Sequence, residues 1–484
     1  MPKITFSEYF NLGKSQHELD FVDVPINASD IPLFIDPYAI SKRDDRWSVH
    51  CHNYIVNFFQ RVIDLMRNSK GSEAKYMLAG LREPNQTRFG LSKGTRPRGR
   101  GVGREQSVDL FDALRESTAV RTGFIKDLED CELLIEGISR DKISDITTDI
   151  IKSQLIEYTQ TQCFLFDITM KNVASGLIWD ATNAKWTNRY VNLPVCNGRS
   201  VILIPKAIAR FDMEFDYQEY YQHFVLNFLQ SEHLHANSSL VRVLKNGTKK
   251  EPTKKSLKSL HPLSKQYLYE FSKQHPEVLT RYKQSKTYLL REISDEMIMA
   301  VTEKEPKFDF SEMTKKLKAI PVGDSGASSF HDYIKGVLTL VFYPTLINPV
   351  KELEIHEGRK RIDLVFTNAA TSGFFLALSQ NKQVPSAYIF IECKNYSSDP
   401  ANPELDQLAG RFSVNRGKFG FLICRNLTDK TLFFKRCRDT AQDGRGLIIP
   451  LDDEDIIKLI DLKNKSDTVG ISQFLEDAYK KLVM

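Results

Sequence analysis

The residues Tyr388 to Tyr396, YIFIECKNY, end an apolar run by placing Glu392 and Lys394 two positions apart. In a β-strand, residues two apart share a face, so Glu392 and Lys394 project together while Ile391 and Cys393 point the other way. An apolar strand has little structural reason to finish on a carboxylate and an amine. Upstream, RKRIDLVF supplies a second strand with one acidic interruption, Asp363. Two carboxylates converging near a lysine are the least that a hard-cation site for phosphodiester cleavage requires. Mg²⁺ prefers oxygen ligands, keeps several waters, and lowers the pKa of one enough to make a nucleophile. The lysine would orient that water or meet charge building on the phosphate. The plainer alternatives are a surface ion pair of little energetic value and a hairpin-capping Asp363. Against them, the flanking residues are too apolar for an exposed edge. Cys393, on the opposite face, reads as core rather than as a reactive thiol.

The surrounding residues supply elements that would hold these groups. Phe330 to Phe342 (FHDYIKGVLTLVF) has apolar residues at helical spacing and ends before Pro344. VKELEIH and RKRIDLVF alternate and join at Glu357-Gly358, a hairpin signal. After the YIFIECKNY strand, Asn402-Pro403-Glu404 reads as an N-cap, a first-turn proline and a first-turn acid, opening a helix ELDQLAGRFSV. Phe419 to Arg425 (FGFLICR) reads as a buried strand. A basic helix around Lys435 to Arg438, the strand GLIIPLD and a last helix complete the chain. The order is helix, strand, strand with Asp, strand with Glu-x-Lys, helix, strand.

That order, with Asp363, Glu392 and Lys394 in place, resembles the PD-(D/E)XK nuclease superfamily, above all its restriction-endonuclease-like, Mrr-like branch. The resemblance covers about residues 325–460. It implies Asp363 and Glu392 as metal ligands, the backbone carbonyl of Cys393 as a third, and Lys394 as the group assisting the attacking water. Gln407 matches the glutamine that many Mrr-like enzymes carry on the following helix. That pattern usually has a tyrosine four residues later, where this chain has Arg411. The family often adds a Glu from the first helix, and this chain offers Asp332 or His331 instead. The implied cofactor is Mg²⁺, with Mn²⁺ as a substitute. Two unpaired carboxylates facing each other repel, so alanine at either is expected to leave the melting temperature near or above that of wild type.

At 484 residues the chain is too long for one core. Apolar content of 41% and charged content of 27% are ordinary for a folded protein. No run of eighteen apolar residues occurs, and MPKITFSEYF lacks the basic start and apolar core of a signal peptide. The seven cysteines are scattered and form no C-x-x-C pair, so a cytoplasmic setting without a membrane is expected. A net charge of +5 does not by itself announce a nucleic-acid binder.

Local charge says more. Lys93 to Arg104, KGTRPRGRGVGR, carries four arginines and four glycines. Glycines let backbone N–H groups approach an anion, and arginines bind phosphates bidentately. Arg96, Arg98, Arg100 and Arg104 are therefore candidates for a phosphate-backbone clamp, the alternative being a solvated loop. Leu244 to Leu260 carries six lysines without a periodic apolar face, which reads as an exposed loop able to touch DNA. Asp127 to Asp149 surrounds a short apolar strand, Leu133 to Ile135, with acids, and Ser144-Asp145 reads as a helix N-cap. His50, Cys51 and His52, like His233 and His235, read as structural, because two ligands do not make a zinc site.

The expected architecture is α+β and α/β multidomain. It comprises an N-terminal α+β domain over residues 1–210 with a sensing or target-recognition role, a helical and basic connector over 211–320, and a nuclease domain over 321–484. The last would be a restriction-endonuclease-like α/β core with a mixed central sheet. Its expected reaction is metal-dependent hydrolysis of phosphodiester bonds in DNA, within prokaryotic restriction or antiphage defence. Arg359, Lys360, Arg361 and Arg411 would contact phosphates. The alternatives are a nucleic-acid-binding or regulatory protein with a silent nuclease fold, and an effector nuclease controlled by a ligand-sensing front half. A homo-oligomer or a partner protein of a defence system is compatible with each.

Overall fold

The computed structural model describes residues 3–82, 84–90, 110–117, 120, 128, 130–211, 215–236, 238, 240–243, 249–287, 292–302, 304, 308–351, 363–414 and 416–484. Two apolar clusters organise them. One runs from Phe6 to Ile298 and the other from Met313 to Leu482, with Leu165 joining the second. Residues beyond 210 remain in the first cluster, where Tyr220, Leu268, Tyr282 and Ile298 are buried together with Phe21 and Leu155.

In the front half, α1 (Arg46–Arg67) is capped by Asp45 and buries Cys51, Ile55, Phe58, Phe59, Val62 and Ile63, a single stripe at helical spacing. The apolar run Leu133 to Ile135 is not a strand. Asp130–Leu134 is one helical turn with every residue buried, since a run this short fits either element and packing decides. Nor does Ser144 cap a helix. Ser139 does so for α2 (Arg140–Ile150), with Ile143, Ile146 and Ile150 on its inner face, while the Ser144 hydroxyl accepts from Ile35 N–H at 2.9 Å. α3 (Lys152–Leu165) follows, then a hairpin of β1 (Lys171–Asp180) and β2 (Lys185–Leu193), in which Trp179 faces Trp186 across the strands.

The C-terminal third runs α4 (Ala327–Phe342), β3 (Leu346–Val350), β4 (Leu364–Asn368), α5 (Gly373–Gln380), β5 (Tyr388–Lys394), α6 (Asn402–Ala409), β6 (Phe419–Cys424), α7 (Lys430–Gln442), β7 (Leu447–Leu451), α8 (Asp453–Asn464) and α9 (Thr468–Val483). The strands form one mixed sheet in the order β7-β6-β5-β4-β3. β5, β6 and β7 are parallel, and β3 and β4 are antiparallel to their neighbours. β6 is buried along its whole length, as a strand covered on both faces must be, and Pro450 is tolerated because β7 lies on the edge. The α6 cap is shifted by one residue from the expected position: Glu404 reaches back to Ala401 N–H at 2.8 Å, and the helix stops at Ala409. The helix α5 interrupts what the sequence suggested was a direct strand-to-strand connection. The expected Glu357-Gly358 hairpin lies outside the described residues. Among the described residues no helix is long and apolar enough to cross a membrane.

A buried acid on α2 gives the fold a pH signature. Asp149 accepts a hydrogen bond from Arg82 N–H at 2.5 Å, yet burial pushes its carboxyl up to about 7. The folded chain thus keeps a proton from about pH 4 to about pH 7 that the unfolded chain has lost. The penalty of the buried charge is fully present above pH 7 and disappears as pH falls toward 4. Asp149→Asn keeps the acceptor for Arg82 and removes the penalty. It should stabilise the protein at pH 8 by a few kcal/mol, because a tenfold change in a protonation equilibrium corresponds to about 1.4 kcal/mol, and by much less at pH 5. Urea unfolding at the two pH values checks this, and an equal difference at both would contradict it.

Candidate active site

Strand alternation alone puts Glu392 and Lys394 on one face of β5, and the sheet fixes what meets them. β4 runs antiparallel to β5 with Leu364 paired to Ile391. Extending that register by one residue places Asp363 opposite Glu392. Asp363 Oδ2 accepts from the backbone N–H of Cys393 at 2.7 Å. Glu392 is 1% exposed, and its Oε1 lies 2.9 Å from Lys394 Nζ. Lys394 also donates to Gln407 Oε1 on α6 at 3.2 Å. Arg411, one turn beyond Gln407, sends Nη1 to Glu392 Oε2 at 2.6 Å and is itself buried. From α4, His331 Nε2 hydrogen-bonds to the carbonyl of Cys393 at 3.1 Å, and its Nδ1 lies 3.8 Å from Asp363 Oδ1.

The expected residues Asp363, Glu392, Cys393, Lys394 and Gln407 are therefore neighbours. Arg411 joins them, paired here with a buried carboxylate rather than facing open space over the sheet. Of the two α4 candidates, His331 faces the site. Asp332 turns the other way, to Lys14 at 3.1 Å and Lys335 at 2.8 Å. Asn395 was not singled out by the sequence. It donates to the carbonyls of Pro321 and Gly323 and accepts from Arg425, which also holds the carbonyls of Leu317 and Ile320. This knot ties the end of β5 to the chain entering α4. An arginine directly after the buried strand run Phe419–Cys424 was the only sequence sign of it.

Arg359, Lys360, Arg361, Arg96, Arg98, Arg100 and Arg104 lie outside the described residues. The lysine-rich segment is not simply a loop: Lys254–Leu260 is a helix capped by Thr253, Leu257 is buried, and Lys254 donates to the carbonyl of Gln222. One buried apolar residue in two turns, with Leu260 left exposed, is too sparse a stripe to register as periodicity.

Burial raises the Glu392 carboxyl, and the charge of Asp363 raises it further, against the pull of Lys394 and Arg411. Burial pulls the Lys394 ammonium down, but the hydrogen bond and charge of Glu392 outweigh this and its net shift is upward. Burial pushes the Cys393 thiol well up, as for an inert core cysteine. The charge of Asp363 thus lies close enough to disfavour ionisation of Glu392, a repulsion that a divalent cation would relieve. Among the described residues no group of three or more His, Cys, Asp or Glu side chains has metal-binding geometry. Two carboxylates and the Cys393 carbonyl form an all-oxygen donor set, which fits Mg²⁺ with retained waters better than a closed zinc site.

Residues 11–216 match a family described as a domain of unknown function, DUF8370, a similarity confined to the front half. No curated protein and no solved structure matches the chain.

The two carboxylates are not an unpaired couple, which corrects the expected effect of removing them. Glu392→Ala would leave Arg411 buried without its anion, a change that costs about 3–5 kcal/mol in comparable pairs. Asp363→Ala relieves repulsion but leaves the Cys393 N–H without its acceptor, about 1–3 kcal/mol before that relief. Urea titrations without added metal should rank Glu392→Ala well below Asp363→Ala in stability. The reverse ranking would mean that Arg411 does not depend on Glu392.

Proposed function

We propose that the chain is a divalent-metal-dependent endonuclease whose C-terminal third is a restriction-endonuclease-like core. The observation that carries the reading is the convergence of Asp363, Glu392, the Cys393 carbonyl, Lys394 and Gln407 where β4 and β5 meet α4 and α6. A mixed five-stranded sheet with this connectivity supports it. Asp363, Glu392 and the Cys393 carbonyl would hold the cation. Once bound, Mg²⁺ supplies Lewis-acid polarisation of a phosphoryl oxygen and a lowered pKa for an adjacent water.

The remaining work falls to the chain's own groups. Lys394, steadied by Gln407 and Glu392, is an ammonium of fixed position that can hold the attacking water in line and meet charge developing on the phosphate. Its raised pKa keeps it protonated, so it serves as a hydrogen-bond donor and countercharge rather than as a base. His331 holds the Cys393 carbonyl and so fixes the main-chain oxygen of the donor set. The substrate we propose is DNA, and the setting prokaryotic restriction or antiphage defence, by analogy with architectures that join such a core to a recognition or sensing domain.

The test is cleavage of supercoiled, linear and single-stranded DNA and of RNA, each with Mg²⁺ or with chelator. Wild type should cut DNA only with Mg²⁺. Glu392→Gln, which keeps shape, should not cut, and Lys394→Ala should cut about 10²-fold more slowly. Wild type that binds DNA but leaves every substrate intact would favour the silent-fold alternative.

A further inference from the structure

Arg411 stands where the resembled pattern has tyrosine, and its surroundings are unusual for a structural arginine. Its guanidinium is buried, with Nη1 2.6 Å from Glu392 Oε2. Its Nε is buried with no hydrogen-bond partner. An arginine presents Nε and Nη as a fork suited to two oxygens of one anion. Here Nη1 holds a carboxylate oxygen, while Nε, on the guanidinium's other edge, is left over. The charges of Asp363 and Glu392 are balanced by those of Lys394 and Arg411, so a divalent cation approaching the carboxylates meets a cluster with no net attraction for it. A cation that takes Glu392 must also compete with Arg411 for Oε2.

Resting on the nuclease reading, we infer that Arg411 is an exchange residue. It guards Glu392 against cation binding and, on yielding that carboxylate, turns its Nε–Nη fork to a phosphodiester oxygen beside the cation. Cation and phosphate binding are thereby coupled: each favours the arrangement the other needs. A purely structural Arg411 would anchor Glu392, and its loss would weaken cation binding. The exchange role predicts the opposite sign.

Calorimetric titration of Mn²⁺ into wild type and Arg411→Met decides between them. The variant, whose cluster carries one more net negative charge, should bind Mn²⁺ about tenfold or more tightly. With Mn²⁺ present, wild type should bind a short phosphorothioate DNA duplex more tightly than Arg411→Met does, and with chelator that advantage should vanish. Equal or weaker Mn²⁺ binding by the variant overturns the inference and leaves the nuclease reading intact. If neither protein takes up Mn²⁺, the nuclease reading falls and the inference with it. Should Arg411→Met fail to fold, a crystal structure of wild type with Mn²⁺ and the duplex replaces it. Arg411 detached from Glu392 and on a phosphate supports the exchange, and Arg411 still on Glu392 Oε2 overturns it.

Discussion

A carboxylate removed from water is the constraint around which the C-terminal third is built. Glu392 lies in a strand flanked on both sides, and its desolvation alone costs several kcal/mol unless other charges compensate. Compensation comes from two directions. Lys394 is supplied by strand period, two residues on. Arg411 is supplied by the crossover helix, whose start at Asn402 and end at Ala409 determine where Gln407 and Arg411 arrive. The antiparallel pairing of β4 then brings Asp363 opposite, adding a second negative charge where one is already expensive. Stability alone would favour an apolar residue at any of these positions. Their concentration at one end of the sheet points to chemistry.

The same site is mechanically continuous with the front half of the chain. Helix α4 presents His331 toward Cys393 and Asp363, and its neighbouring face toward residues 14–18. There Lys14 hydrogen-bonds to the Asp332 carbonyl at 2.9 Å as well as pairing with its carboxylate. The charges of Lys14 and Lys335 hold the Asp332 carboxyl below the usual range, against the upward push of burial. Lys335 donates to the carbonyl of Leu165 at 2.7 Å and lies over the Phe166 ring. Gly336 lacks a side chain for a concrete reason: a Cβ there would meet Glu18 Oε1 at 2.8 Å. The helix carrying a site residue is thus clasped by the region whose sequence matches DUF8370.

Much of this was legible locally. Alternation in YIFIECK fixed the shared face of Glu392 and Lys394, and the single acid in an apolar run marked Asp363. Helical spacing marked α4, and Pro403 with Glu404 marked the start of α6 to within a residue, while its end falls five residues short of the expected one. What escaped is non-local or ambiguous. That Arg411 pairs with Glu392 depends on how α6 crosses the sheet, which no spacing within either segment reveals. Leu133 to Ile135 is too short for its period to distinguish strand from helix. Asp332 and His331 are adjacent in sequence, and only the packing of α4 between sheet and front half decides which one faces the site.

The central claim, that Asp363 and Glu392 jointly hold a divalent cation, is tested most directly by thermal unfolding across a Mg²⁺ series, with no substrate or turnover involved. A ligand bound only by the folded state stabilises it by about 2.7 kcal/mol at a hundred times its dissociation constant. Wild type should therefore melt at progressively higher temperature as Mg²⁺ rises at constant ionic strength, while Asp363→Asn, which keeps the shape but loses the charge, should not. A melting temperature that stays flat for wild type, or rises equally in both proteins, would contradict the account.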